Sequence, residues 1–214
     1  MPRSIVGFGA GGHARVMIEI LQQDATYDLV GLLDPNPRLQ GQTVLGVPVL
    51  GNDDCIRDLI TKGVQHFFVG VGSVGDSSVR RRLFEQGLNF GLKPICVIHA
   101  QSIISPTAKI GRGVTILAGA IVNSGAVIGD NTIVNTGAII EHDCVLENHV
   151  HVATGARLAG GVRVNTGAHI GIGATIRESI QIGDHAIVGA GAVVVKNVHP
   201  KIVVVGVPAQ PLIF

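Results

Sequence analysis

Residues 126–146 read Ala126-Val127-Ile128-Gly129-Asp130-Asn131-Thr132-Ile133-Val134-Asn135-Thr136-Gly137-Ala138-Ile139-Ile140-Glu141-His142-Asp143-Cys144-Val145-Leu146, and a large aliphatic returns at every sixth place. Steps of six continue in both directions, from Ile104 to Val194, through sixteen positions that are all Ile, Leu or Val. Two residues before each, from Ala108 to Ala192, stands a second and mostly small residue. A period of six fits neither an α-helix, which repeats at about 3.6, nor a simple amphipathic strand, which repeats at about 2. It fits a coil of short strands separated by corners, three hexapeptides closing one turn of a triangular prism. The aliphatic fills the interior and the small residue leaves it room, so aromatics are excluded: Phe8, Tyr27, Phe67, Phe68, Phe84 and Phe90 precede the repeats and only Phe214 follows. Glycine directly after the aliphatic, at Gly111, Gly129, Gly171, Gly183 and Gly189, is expected to give the corners their permissive backbone.

Upstream, the pattern changes to alternating strand and helix. Apolar runs at Ile5–Phe8, Leu29–Leu33, Val44–Leu50 and His66–Val71 are separated by helical patterns at His13–Gln22, Asp53–Thr61 and Ser77–Gln86. This order predicts a small Rossmann-like parallel α/β domain over residues 1–97, followed by a β-helix domain and tail over residues 98–214. The first strand runs into Gly7-Phe8-Gly9-Ala10-Gly11-Gly12-His13, with Asp34 at the end of the second strand. That is the layout of a dinucleotide fingerprint, with bare amides at a helix N-terminus facing phosphate and an acid facing a ribose. Read literally it indicates NAD. The unit is barely more than one mononucleotide-binding half, however, and no domain for hydride transfer follows, so the expectation is a diphosphate ligand.

The 214 residues carry a net charge of +1, and no basic run exceeds Arg80-Arg81-Arg82, which argues against nucleic acid or an anionic membrane as partner. A small molecule or another copy of the chain is expected instead. Cys55, Cys96 and Cys144 are odd in number and form no CxxC pair, which fits a reducing cytoplasm rather than disulfides or a zinc site. The first residues lack the pattern of a signal peptide, and no apolar stretch is long enough for a membrane span.

Chemistry on the coil falls to its histidines, of which His142 is distinguished by its neighbours Glu141 and Asp143 near a corner. An adjacent acid orients an imidazole and raises its basicity, which makes His142 the candidate general base. His151 and His169 are one coil apart and should stack. A metal reading, by comparison with γ-type carbonic anhydrases, requires a third histidine five residues beyond His185, and Ala190 stands there, so no metal is expected. Cys144 occupies the inward small-residue slot and is expected to be a buried thiol, not an acyl-accepting nucleophile.

Taken with Val44-Leu45-Gly46-Val47-Pro48-Val49-Leu50-Gly51, Ile98-His99, Ile103-Ile104-Ser105-Pro106-Thr107-Ala108-Lys109-Ile110-Gly111 and Gly206-Val207-Pro208-Ala209, these motifs resemble the sialic-acid and bacterial-sugar O/N-acetyltransferase family over nearly the whole chain. The resemblance implies a left-handed β-helix, a homotrimer, acetyl-CoA held between neighbouring β-helices, and a nucleotide-linked amino sugar on the N-terminal domain. It implies that Gly11, Gly12 and His13 contact the sugar-nucleotide phosphates with Asp34 and Gly72 nearby. It also implies that His142 is the general base, oriented by Asp143 where the family often has Glu, with the Gly160 amide as oxyanion donor. His151, Gly160, Ile172 and Ala190 fall where relatives contact acetyl-CoA, and Gln210 replaces the Lys or Arg that usually closes the Gly-Val-Pro-Ala motif. The expected reaction is direct N-acetylation in a ternary complex. O-acetylation of a sialic-acid-like sugar and a non-catalytic sugar-nucleotide-binding protein are the alternatives.

Overall fold

The structure is a computed structural model that describes residues 2–212. Two compact units are present, residues 2–72 with 79–97 and residues 73–78 with 98–212. A single cut in the chain would leave the short segment Ser73–Ser78 with the first unit, whereas it packs with the second.

The first unit is a six-stranded sheet in the order Thr43–Val44, Val47–Gly51, Tyr27–Leu33, Arg3–Phe8, His66–Val69, Lys93–Pro94. All neighbours are parallel except the first two. Its central strands are apolar at consecutive positions because both faces are covered. Ile5, Leu32 and Phe68 pack with Met17, Ile18 and Leu21 of the helix Gly12–Gln22. Val6, Phe8, Leu33 and Phe67 pack on the other face with Ile56 of the helix Ile56–Thr61 and with Leu83 and Phe84 of the helix Ser78–Asn89. The apolar run Val44–Leu50 is not one strand. Leu45 and Gly46 both take positive φ (49° and 82°) and turn it into a tight hairpin, a turn that a leucine at its first position conceals in the sequence.

The second unit is a left-handed parallel β-helix. Two-residue strands recur at every sixth residue from Ile103–Ile104 to Val193–Val194, and each pairs in parallel with the strand one coil away, Ile121 with Ile139 and Val122 with Ile140 for example. Three parallel sheets result, and residues 18 apart stack on one face or one edge. The fourteen repeat aliphatics from Ile116 to Val194 are at most 1% exposed, and the small residues before them, Cys144 included, are buried beside them. Dispersion and burial along this continuous core, rather than any single large side chain, hold the coil together. Val203–Val205 extends one sheet, and Gln210–Pro211 folds back antiparallel on it.

The glycines that follow the aliphatics serve a different purpose from the one expected. None of the five has positive φ. Instead a Cβ at Gly129 would stand 2.6 Å from the Glu147 carbonyl carbon and 2.7 Å from Asn148 N, and one at Gly171 would stand 2.6 Å from Val188 O, so these positions admit only glycine because backbones of adjacent coils pass there. The left-handed backbone falls two residues further on. Every sixth residue from Gly113 to Gly191 has positive φ, nine of them glycine and the others Asn131, Asp143, His149, Ser179 and His185. Asn, Asp and His are among the side-chain-bearing residues that enter this region at least cost.

Candidate active site

In the first unit the sheet order reverses at Arg3–Phe8, whose neighbours are Tyr27–Leu33 on one side and His66–Val69 on the other. Loops leaving the carboxyl ends of these strands open a crevice, the usual ligand position in such sheets. The glycine-rich loop lies there. Gly7 is required by packing, since a Cβ would stand 2.4 Å from Phe68 Cζ, and Gly9 by its φ of 100°. Gly11, Gly12 and Gly72 are different. None has positive φ, and a Cβ on any of them would meet nothing within 4 Å. Packing and backbone conformation therefore do not require glycine at these three places.

Gly11 precedes the helix Gly12–Gln22 and supplies no side-chain cap to its first turn. His13 is half-buried in the first turn. The Asp34 carboxylate accepts from Ala10 N and from Asn36 N, both at 2.9 Å, so it fixes the shape of the glycine loop from the neighbouring strand. Arg80, fully buried, donates through Nη1 to Val69 O at 2.7 Å and Val71 O at 2.9 Å and so anchors the strand end that leads into Gly72. Burial alone brings its guanidinium down to about 9. Nothing in the basic run Arg80-Arg81-Arg82 distinguishes this inward arginine from its exposed neighbours except the helical phase it shares with Leu83, Phe84 and Gly87.

On the β-helix, three stacked corners make three edges. His142 and Gly160 are one coil apart on one edge, and Ile172 and Ala190 are one coil apart on another. His142 Nδ1 lies 2.9 Å from Asp143 Oδ2, both side chains largely exposed at 63% and 74%. The hydrogen bond that His142 Nδ1 donates to Asp143 raises the imidazole pKa above its ordinary value; desolvation opposes this, and the charges of Asp143 and Glu141 add to it. With Nδ1 on the carboxylate, Nε2 is the nitrogen presented for chemistry. It lies over Gly160, where a Cβ would be only 2.6 Å from it. The Gly160 amide has no acceptor among the described residues. A basic nitrogen thus lies against Gly160, whose amide is open among the described residues, an arrangement able to take a proton and to donate to a developing oxyanion.

The remaining sequence candidates lie elsewhere. His151 is 5% exposed, its Nδ1 is 3.0 Å from Ser73 O and its Nε2 is 3.3 Å from Asn135 Nδ2, so its ring nitrogens are spent within the chain. His169 meets it edge to face with ring centroids 4.9 Å apart, as the spacing predicts, and burial pushes its imidazolium below the ordinary value. The Cys144 thiol donates to Ala159 O at 3.2 Å, and burial pushes it up to about 11, which leaves it no thiolate character. Among the described residues no group of three or more His, Cys, Asp or Glu is placed to hold a metal ion, and no helix is long and apolar enough to cross a membrane.

Residues 4–86 match the PglD N-terminal domain family. No curated protein matches the chain. Among solved structures, PerB from Caulobacter crescentus, a structure in complex with CoA and GDP-perosamine, shares 36% identity with a TM-score of 0.91, covering 98% of this chain and 97% of that one. The acetyltransferase domain of PglB from Neisseria gonorrhoeae FA1090 shares 36% identity with a TM-score of 0.90 over 98% of this chain and 100% of that one. WeeI from Acinetobacter baumannii AYE shares 30% identity with a TM-score of 0.86 over 98% and 100%. With the repeat architecture, the crevice and the imidazole–amide pair already in place, these similarities mean that the chain belongs to the sugar acetyltransferases of the hexapeptide-repeat family.

Proposed function

We propose that this chain is an acetyl-CoA-dependent N-acetyltransferase that acylates the amino group of a nucleotide-linked amino sugar. The observation that supports the reading is that His142 Nε2 lies close against Gly160, with Asp143 on the opposite ring nitrogen. In support, PerB was solved with CoA and GDP-perosamine bound, which suggests a guanosine-diphosphate amino sugar as the first acceptor to try. Acetyl-CoA supplies an acetyl thioester whose carbonyl carbon is the electrophile.

His142 Nε2 takes the proton from the sugar amine as the nitrogen–carbon bond forms, and Asp143 stabilises the imidazolium. The Gly160 amide donates to the carbonyl oxygen while it carries negative charge. When the carbon–sulfur bond breaks, the proton on His142 passes to the departing sulfur. Cys144, buried and protonated, has no part in this, so the transfer is direct.

The N-terminal unit, residues 1–97 in our reading, holds the sugar nucleotide through Gly11, Gly12, His13 and Gly72, with Asp34 shaping the loop. Ile172 and Ala190 are exposed and would line the acetyl-CoA site, and His151, with its nitrogens spent internally, contributes shape rather than a hydrogen bond. Because His142 and the Ile172–Ala190 pair occupy different edges of one prism, a second copy has to bring its own edge to complete the site, which supports a homotrimer. A cytoplasmic location and independence of metals belong to the same reading.

The test is CoA release by the purified chain offered GDP-perosamine, other nucleotide-linked amino sugars and free sialic acids. N-acetylated product with an amino-sugar nucleotide supports the reading, while product only from a sugar hydroxyl assigns O-acetylation. Tight nucleotide binding without turnover on any acceptor makes the chain a binding protein. His142→Ala should lower kcat by about 10²–10⁴-fold, the range for a general base; near-native turnover in the folded variant removes His142 from that role.

A further inference from the structure

We infer that Gly125, one coil away from Asp143, is a positioning residue for the His142–Asp143 pair: its missing side chain is the space that the Asp143 carboxylate needs in order to reach the imidazole. This rests on the assignment of His142 as base.

Asp143 occupies a left-handed corner with φ 59°, and its side chain is largely exposed, so little around it fixes its rotamer. What fixes it is the bond from Oδ2 to His142 Nδ1 at 2.9 Å and the close fit of Oδ1 against the coil next to it. That fit is at Gly125. A Cβ there would lie 2.7 Å from Asp143 Oδ1, 3.7 Å from its Cγ and 3.8 Å from its backbone N. The contact closer than van der Waals range is with a carboxylate oxygen, the movable end of the side chain. The corner would therefore relieve it by swinging the carboxylate, and because both oxygens turn about the same Cβ–Cγ bond, Oδ2 would leave the imidazole.

The coils on both sides thus lack a Cβ where the pair lies, Gly160 under the ring and Gly125 beside the carboxylate. Gly125 also has φ +71°, which by itself favours glycine. The comparison that separates the two reasons is Gly137, at the equivalent corner of another edge, with φ +66° and nothing within 4 Å of its Cβ position. Backbone strain is the same at both places, and only Gly125 has the carboxylate beside it.

The experiment compares Gly125→Ala with Gly137→Ala in the full chain. Expected is a fall in kcat of up to about 10²-fold for Gly125→Ala, the cost of misplacing a reacting group, with little change in KM and with kcat for Gly137→Ala near native. The titration of His142 followed by NMR, its resonance assigned by loss in His142→Asn, should move to lower pH in Gly125→Ala and stay in place in Gly137→Ala. In an Asp143→Ala background, Gly125→Ala should cost nothing further. If Gly125→Ala fails to fold, Gly125→Asn against Gly137→Asn repeats the comparison, since Asn131 already occupies such a corner with φ 56°. Equal kcat and equal His142 titration in the two variants overturn the inference, as does a Gly125→Ala effect that persists without Asp143. Native turnover in His142→Ala with an altered His142 titration in Gly125→Ala would sink the base assignment and leave the positioning intact, so the two failures are distinguishable.

Discussion

Gly160→Ala separates activity from stability. The added methyl would stand 2.6 Å from both Nε2 and Cε1 of His142 and 3.3 Å from Cδ2. Non-bonded carbon contacts settle at about 3.5–4.0 Å, so the ring has to withdraw by roughly 1 Å. A displacement of that size at a reacting group costs on the order of 10²-fold in turnover, and the methyl also crowds the amide proposed to donate to the oxyanion. The backbone does not object. Gly160 is absent from the positive-φ residues, and the ring that must move is largely exposed. Replacing such a glycine by alanine stabilises a fold by about 0.4–1 kcal/mol through the unfolded chain, which for a chain of this length amounts to about 2–4 °C in Tm at most. The expected outcome is kcat reduced about 100-fold with an unchanged or slightly raised Tm, measured as CoA release at saturating acceptor alongside a thermal melt. Native turnover, or a loss of turnover matched by a loss of folded protein, refutes the placement of His142 over this amide.

Three further outcomes follow from the same structure. Because the Asp143 hydrogen bond and the neighbouring charges raise His142 above the ordinary imidazole value near 6.5, and because the base must be unprotonated, kcat/KM should rise with pH along a limb centred above that value. Asp143→Asn should move this limb to lower pH, and a limb that stays in place contradicts the pairing. Gly129→Ala should destabilise the β-helix by about 1–3 kcal/mol or more, since its Cβ would meet backbone atoms of Glu147 and Asn148, which cannot swing aside as the Asn148 Oδ1 beside them can; chemical denaturation measures it, and a native midpoint is the contrary result. Cys144→Ala places alanine in a slot where alanine is common, so kcat should remain within a few-fold of native, whereas abolished turnover in a folded variant would revive a covalent acyl-enzyme.

The interior of the β-helix is legible in the sequence because a single period fixes its phase: once Ile128, Val134 and Ile140 face inward, so do Cys144 and Ala138 two places before the next aliphatic. The dyad is legible for a different reason, since His142 and Asp143 are adjacent in the chain. Contacts that depend on two coils at once are harder to read. The glycines after the aliphatics look like corners, and only the passage of a neighbouring backbone shows that Gly129 and Gly171 are spacers, with the corners two residues later. That second register is present in the sequence as the recurring Gly, Asn, Asp, His or Ser from Gly113 to Gly191, and it becomes evident once the dihedral angles identify it. His151 is expected to contact acetyl-CoA, yet it is covered, because Ser73, whose carbonyl lies 3.0 Å from its Nδ1, comes from a distant part of the chain. Leu45 conceals a hairpin, and Arg80 conceals a buried anchor inside a basic run.

The three edges of the prism separate what folds the coil from what makes it an enzyme. A deletion of six residues anywhere within the repeats keeps every aliphatic inside, yet rotates everything downstream by one third of a turn and delivers each following side chain to the wrong edge. A deletion of eighteen restores the edge and shortens the column by one rung, about 4.8 Å. Drift in length is therefore tolerated by the architecture in sixes and by the chemistry only in eighteens.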